Sequence, residues 1–272
     1  MNKFSKRMLM ITGVVGISLS GFLIWRYQAR NYTIVLRDGL HANNEEEPSS
    51  LRVGTYNVKS LNMGESLAAF QEDLSAIDLD ILCVQEVDHK AFRSGHQEMI
   101  KEMGEAAGFP YHYFFQSMWM VDGYYGIGIL SKYPIQMVES RQLPNYLLSE
   151  PRILAHAQIK VGTRTLQVYN THLAYKDAQV REEEIEYLRN HVDTSGFSIL
   201  MGDFNVFTMD GFFSIQGMRA VSHPDHVMIT FRTFGFPDNI FYSDKLTMKD
   251  VQVQPSSFSD HNLLYGTLYF NE

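Results

Sequence analysis

Between Leu51 and Phe270, short apolar runs recur that each lead into or out of a small polar group: LRVGTYN, ILCVQE, TLQVYNTH, SILMGDFN and SSFSDHNLL. Runs of this length, rich in β-branched and aromatic residues, read as strands, and the repeated polar endings place several strand ends on one common rim. Between them SLAAFQEDLSAI, HQEMIKEMGEAAG and AQVREEEIEYLRNHV carry apolar residues at helical spacing. The runs YHYFFQSMWM, GIGILSKYPI, ILAHAQIKV and TLQVYNTHL follow one another with no helix between them, and DNIFYS, KDVQVQP and NLLYGTLYF add strands near the C-terminus. Parallel strands need long crossovers, usually helical, so an uninterrupted strand series requires hairpins. The expected fold class is α/β: a four-layer αββα sandwich of two packed mixed β-sheets with helices outside.

Ahead of this body, Met8 to Trp25 is an 18-residue stretch without a charge, flanked by Lys3, Lys6 and Arg7 before it and by Arg26 and Arg30 after it. That length reaches the short end of what crosses a bilayer. A cleaved signal peptide is the alternative, but Leu23-Ile24-Trp25-Arg26 lacks small residues at a cleavage position. The expected organisation is an N-terminal transmembrane helix with its flanks (1–30), a tether (31–50) that begins with a short strand-like piece and ends polar and acidic, and a catalytic domain (51–272). Basic residues nearly balance across the apolar stretch; the expected topology is single-pass, with the body extracytoplasmic. On this reading a chain beginning near Asn44 keeps the whole domain, as a monomer.

Charge narrows the partners. The whole chain carries a formal −8, and the residues after 40 alone about −13. An acidic body repels polyanions unless a local basic patch or bound cations offset it, and no such patch is visible. The single cysteine, Cys83, lies inside an apolar run, which excludes a disulfide framework or thiolate metal site within the chain.

The polar groups are Tyr56-Asn57, Gln85-Glu86, Asn170-Thr171-His172, Gly202-Asp203-Phe204-Asn205 and Ser259-Asp260-His261. A hard cation such as Mg²⁺ takes oxygen ligands and keeps several waters, so a few carboxylates and carboxamides on one rim suit it. Singly each group has an ordinary explanation: a turn cap, a solvated loop start, a partly buried structural histidine. Those explanations do not account for all five in this order, each beside an apolar strand.

With YNV, QE, GILSKYPI, NTHL, GDFN and SDH, the chain from about Leu51 to Phe270 resembles the endonuclease/exonuclease/phosphatase superfamily, which includes nucleases, sphingomyelinases and phosphatases. The resemblance implies the αββα sandwich and Mg²⁺- or Mn²⁺-dependent hydrolysis of phosphate esters by water. It implies metal ligation by Glu86 with Asn57 and Asp260. Asp203 would orient or deprotonate the attacking water, Asn205 would donate to a phosphate oxygen, and His172 would contact the phosphate or leaving oxygen. Asp238, in the segment Pro237-Asp238-Asn239-Ile240-Phe241, would hold His261, with Asn239 the neighbour to consider next. Arg152 would add positive charge to the transition state. The sequence departs from the family at Lys59, where some members carry an acid, and in lacking an acid within Gly123–Gly128 to back His172, although Asp122 is close.

Two substrates remain open. An anchored enzyme would meet lipid-linked phosphate esters at high effective concentration, whereas a nuclease would use a nearly identical site. The aromatic run Tyr111–Tyr125 reads as a buried strand rather than a lipid contact, and the loop Asp88–Gln97 as either a pocket wall or a solvated connection. A catalytically inactive scaffold is disfavoured because each expected polar position is filled.

Overall fold

The computed structural model describes residues 30–36, 47–146 and 149–271. In chain order the strands are β1 (Tyr32–Val35), β2 (Ser50–Asn57), β3 (Ile81–His89), β4 (Tyr111–Met120), β5 (Gly123–Ser131), β6 (Ile135–Gln142), β7 (Ile153–Val161), β8 (Arg164–His172), β9 (Ser198–Asp203), β10 (Met218–Ala220), β11 (Asp238–Ser243), β12 (Leu246–Gln254) and β13 (Leu263–Phe270). The helices are α1 (Leu67–Leu74), α2 (Met99–Ala107) and α3 (Ala178–His191). Sheet I has seven strands in the order β1-β6-β7-β8-β9-β11-β10, and sheet II six in the order β12-β13-β2-β3-β5-β4. Both are mixed: β8–β9 and β2–β3 pair in parallel, while the other pairs are antiparallel.

Alternation along each strand builds the layers. On β3, Ile81 and Cys83 face the centre with Ile199 and Met201 of β9, whereas Leu82 and Val84 face Phe70 of α1 and Met99 and Met103 of α2. On β9, Leu200 points the other way, towards Ile185 and Leu188 of α3. Side chains of period two thus feed one core between the sheets and two cores beneath the helices. The structure has the two packed sheets of the expected sandwich, with helices on both outer faces. Asp177 caps α3, its carboxylate accepting from the N–H groups of Gln179 and Val180 at 3.0 and 3.2 Å.

Several sequence expectations change. The run GIGILSKYPI is split: β5 ends at Ser131 and β6 begins at Ile135, after a turn. The strand-like start of the segment expected as a tether is a strand, but one that belongs to the sandwich: β1 pairs with β6, and Tyr32 and Leu36 pack on the central core. A chain beginning near Asn44 would therefore lose part of sheet I. Among the described residues no helix is long and apolar enough to cross a membrane; the transmembrane helix expected within residues 1–30 lies outside the described residues, as do residues 37–46 of the tether.

Strand directions gather the polar groups. β2, β3, β8 and β9 end, and β7 and β11 begin, at one edge of the sandwich, the catalytic rim. β6 ends there too, and β1, antiparallel to β6, begins there.

Candidate active site

One residue from each of two polar groups, Gln85 and Asn170, holds the sheets together rather than facing the cleft. The Gln85 amide donates to Thr55 Oγ1 and to Asn170 Oδ1 at 3.0 and 2.8 Å, and the Asn170 amide donates to the carbonyls of Val84 and Gly128 at 3.1 and 2.8 Å. This fully buried network crosses the central core from β3 to β8 and satisfies polar groups that would otherwise be costly there. Glu86 is then free to point elsewhere because β3, which continues two residues past Val87 to His89, carries a register shift between Val84 and Val87. Glu86 sits in that bulge with φ +58°, a conformation rare for glutamate, and the bulge re-aims its side chain to the rim.

Asp203 is the hub. It ends β9, and its Oδ2 receives the Asn57 amide at 2.9 Å and lies 3.4 Å from His172 Nε2 and 3.6 Å from His261 Nε2. Its Oδ1 accepts the Asn205 N–H at 2.9 Å. Burial raises the Asp203 carboxyl above its ordinary range, against the opposing influence of His261. The Asn57 amide also donates to Glu86 Oε1 at 3.1 Å, so one carboxamide joins the two acids. Burial likewise raises Glu86, and the negative charge of Asp203 pushes it further.

The histidines differ in their backing. His261 Nδ1 is 2.9 Å from Asp238 Oδ2, and Asp238, the first residue of β11, pairs across the sheet with Asp203. Burial opposes charge on His261, but Asp238 and then Asp203 override it and carry its pKa up to about 10. Asn239 plays no part in this pair: its side chain is taken up by the backbone N–H and carbonyl of Ser222. His172 Nδ1 accepts from the Arg152 guanidinium at 3.0 Å, which leaves Nε2 to carry the proton towards Asp203. Burial first, then the positive charge of Arg152, holds His172 well below the usual histidine range, so it is neutral. Arg152 is buried and also bonded to Glu150 at 2.9 Å, so it stands behind His172 rather than projecting alone into the cleft.

Asn205 spends one amide N–H on the Leu173 carbonyl at 2.8 Å and keeps a second N–H. Asp260 lines the same cleft as Glu86, where Lys59 approaches it at 3.3 Å and Arg232 at 4.0 Å. The structure thus brings all nine sequence candidates to one rim, which opens into a cleft of ≈ 890 Å³.

Two sets of atoms could hold a cation. Ligand atoms of Asp203, Asp238 and His261 lie within 4.8 Å of one another. There His261 Nδ1 is committed to Asp238 Oδ2, although Asp238 Oδ1 is buried without a partner among the described residues. Glu86, Asn57 and Asp260 offer oxygens of the kind Mg²⁺ takes, and Glu86 is a partly buried carboxylate that accepts the Asn57 amide. The oxygen set fits a divalent cation better.

Sequence reasoning missed Lys176, Arg232 and Phe231, which line the cleft, and reached Arg93, in the side pocket, only as part of the loop Asp88–Gln97. Arg93 is held in a bidentate pair by buried Asp88, at 2.7 and 2.6 Å, so the loop Asp88–Gln97 is a pocket wall. Beside it, Lys59 to Met63 run consecutively at positive φ, between +46° and +62°, with no glycine among them to signal it.

A profile of the Endonuclease/Exonuclease/phosphatase family matches residues 54–261. A search of curated proteins found no match. Among solved structures, the chain is similar to an endonuclease/exonuclease/phosphatase from Beutenbergia cavernae (16% identity, 82% of this chain and 72% of that one, TM-score 0.63). It is also similar to a humanized D. rerio TDP2 (18%, 81% and 99%, TM-score 0.62) and to a mannosyl-6-phosphatase from Bacteroides thetaiotaomicron (19%, 81% and 100%, TM-score 0.59). At these identities the likeness shows the fold alone.

Proposed function

Since the chain belongs to the endonuclease/exonuclease/phosphatase family, and is a hydrolase of phosphate ester bonds, we propose that it is a membrane-proximal, single-pass phosphodiesterase acting on a lipid or lipid-linked phosphate outside the cytoplasm. The observation that carries the chemistry is the single oxygen, Asp203 Oδ2, shared by Asn57, His172 and His261 and bordered by the oxygen set of Glu86, Asn57 and Asp260. A divalent cation, Mg²⁺ or Mn²⁺, would be held by that oxygen set and would supply charge neutralisation at the phosphate.

The chain's own residues supply the rest. Asp203, its pKa raised, accepts a proton from the attacking water. His172, neutral and donating from Nε2, holds a phosphate oxygen, and the second N–H of Asn205 holds another. His261, kept protonated by Asp238, faces the developing negative charge. Such positioned donors act where charge grows in the transition state. Arg152 contributes through His172.

The acidic body and the uncharged stretch Met8–Trp25 favour a lipid-linked substrate over a nucleic acid. The test is hydrolysis by the full chain with Mg²⁺ of plasmid DNA, phospholipid, sphingomyelin and soluble phosphomonoesters. Turnover of a lipid phosphoester with intact DNA is expected; cleavage of DNA with no lipid turnover would replace the reading with a nuclease.

A further inference from the structure

The exposed large apolar side chains of the described residues are not scattered. All except Ile34 and Val35 lie on connections that leave or reach strands at the catalytic rim, among them Met63, Phe92, Val121, Tyr175, Met209 and Phe234. Single exposed apolar residues need no explanation, but a grouping at one end marks an interaction surface. Part of it is continuous with the site. Phe231 lies edge-on to His261, with ring centroids 4.9 Å apart, and contacts Phe207 at 5.3 Å and Phe234 at 5.8 Å, while Phe207 meets Tyr175 at 6.0 Å. The ladder is buried at His261 and open at its ends, where Tyr175 and Phe234 are 61% and 63% exposed. Gly235 permits it: a Cβ there would lie 2.7 Å from Phe231 and 3.1 Å from Phe207. Arg232, its guanidinium 5.2 Å from the Phe231 ring, and Lys176 stand beside it on the wall of the cleft.

A second observation concerns where the chain joins the sandwich. The Asn31 side chain accepts the Gln142 N–H at 2.6 Å, and Gln142 ends β6 just before the connection that carries Glu150 and Arg152 into the cleft. The chain therefore enters on the catalytic rim, and β1 stands three strands from β8, or about 14 Å at the usual strand spacing. The uncharged stretch ends at Trp25, and the residues between it and Asn31 span at most ~20 Å.

We propose that the catalytic rim is a bilayer-docking face, with Tyr175 and Phe234 seated at the lipid–water interface and the cleft opening onto the membrane. Aromatic residues with adjoining Arg and Lys are what that interface accommodates, rings at headgroup level and cations towards the phosphates. The inference rests on the lipid-linked reading above and adds the orientation: the substrate's phosphate enters the cleft without leaving the membrane surface.

The test uses the full chain with one environment-sensitive fluorophore. Cys83 is buried and does not compete for label. The label is placed at Phe234→Cys or, as a control, at Glu105→Cys, on the α2 end that leads to the start of β4, away from the rim. With phosphatidylcholine–phosphatidylglycerol vesicles, the label at 234 should shift to the blue and be quenched by nitroxide-bearing lipid, while that at 105 does neither. Response at both positions or at neither overturns the proposal, as does a label at 234 that answers only to a single-stranded oligonucleotide. Phe234→Ser should lower turnover of a vesicle-borne phosphoester about 10-fold and leave that of a soluble phosphoester unchanged. A soluble phosphoester that is never hydrolysed, with docking intact, would instead fail the hydrolase reading alone.

Discussion

The two sheets furnish the cleft with unlike halves. Sheet II brings Asn57 and, through a bulge, Glu86, and the loop before β13 adds Asp260; these offer oxygens, Asp260 paired with Lys59 and the Glu86 carboxylate accepting the Asn57 amide, and burial pushes Glu86 up. Sheet I brings Arg152, His172, Asp203, Asn205 and Asp238, each already bonded to a neighbour, with His261 reaching across to Asp238. One half resembles a socket for a cation, and the other a hydrogen-bond network in which Arg152 Nε and Asp238 Oδ1 alone are buried without a partner among the described residues. The contrast teaches that a site can be preorganised in two ways: converging oxygens where an ion is to bind, and mutually oriented donors and acceptors where protons are to move.

The largest expected effect breaks the socket. Excess EDTA should abolish hydrolysis, and Glu86→Gln should lower kcat/KM by more than about 100-fold, beyond what loss of an outer-shell partner costs. The same substitution should raise the melting temperature of the metal-free protein, because burial and the charge of Asp203 disfavour the Glu86 carboxylate more than the Asn57 amide supports it; a fall in melting temperature would mean that its partners prevail and that Glu86 is no socket.

Next comes the network. His261→Ala should lower kcat by roughly 10²- to 10⁴-fold, and Asp238→Asn somewhat less. The double variant should be little worse than His261→Ala, since Asp238 acts through the imidazole. Multiplicative defects would assign Asp238 a separate task.

A third expectation concerns stability. Glu184 on α3 is buried; one oxygen accepts the Ala174 N–H at 2.7 Å and the other has no partner among the described residues. Burial raises its pKa to about 7, with the Ala174 N–H and Arg152 partly opposing. The folded state then holds a proton that the unfolded state releases near pH 4.5, so stability falls as pH rises from about 4.5 to 7, by roughly 3 kcal/mol. Glu184→Gln should flatten that slope and stabilise the protein at pH 8. An unchanged slope in pH-dependent urea denaturation would refute it.

The smallest effect is a control at the far edge of sheet I. Removing residues 1–43 deletes β1 and should lower the melting temperature by a few degrees relative to removing 1–29, with kcat on a soluble phosphoester unchanged. A lost kcat would mean that β1 supports the cleft.

Much of this was legible in the sequence because strand alternation and polar endings are local signals. The runs around Asn57, His172 and Asp203 end where the strands end. What escaped depends on pairing between distant segments. Gln85 and Glu86 are neighbours, yet only the register of β3 against β5 sends one into the core and the other to the cleft. Asn170 reads like its neighbour His172 but ties two sheets together. Arg93 depends on Asp88 for its orientation, and the aromatic ladder joins residues 175, 207, 231 and 234 from three connections, so no periodicity could reveal either.

The division between socket and network is tested most directly by calorimetric titration of Mn²⁺ into the wild type, Glu86→Gln and His261→Ala. Binding should be lost in Glu86→Gln and kept in His261→Ala. Binding kept in Glu86→Gln and lost in His261→Ala would place the cation among Asp203, Asp238 and His261, whose ligand atoms also lie within 4.8 Å of one another, and would contradict the account.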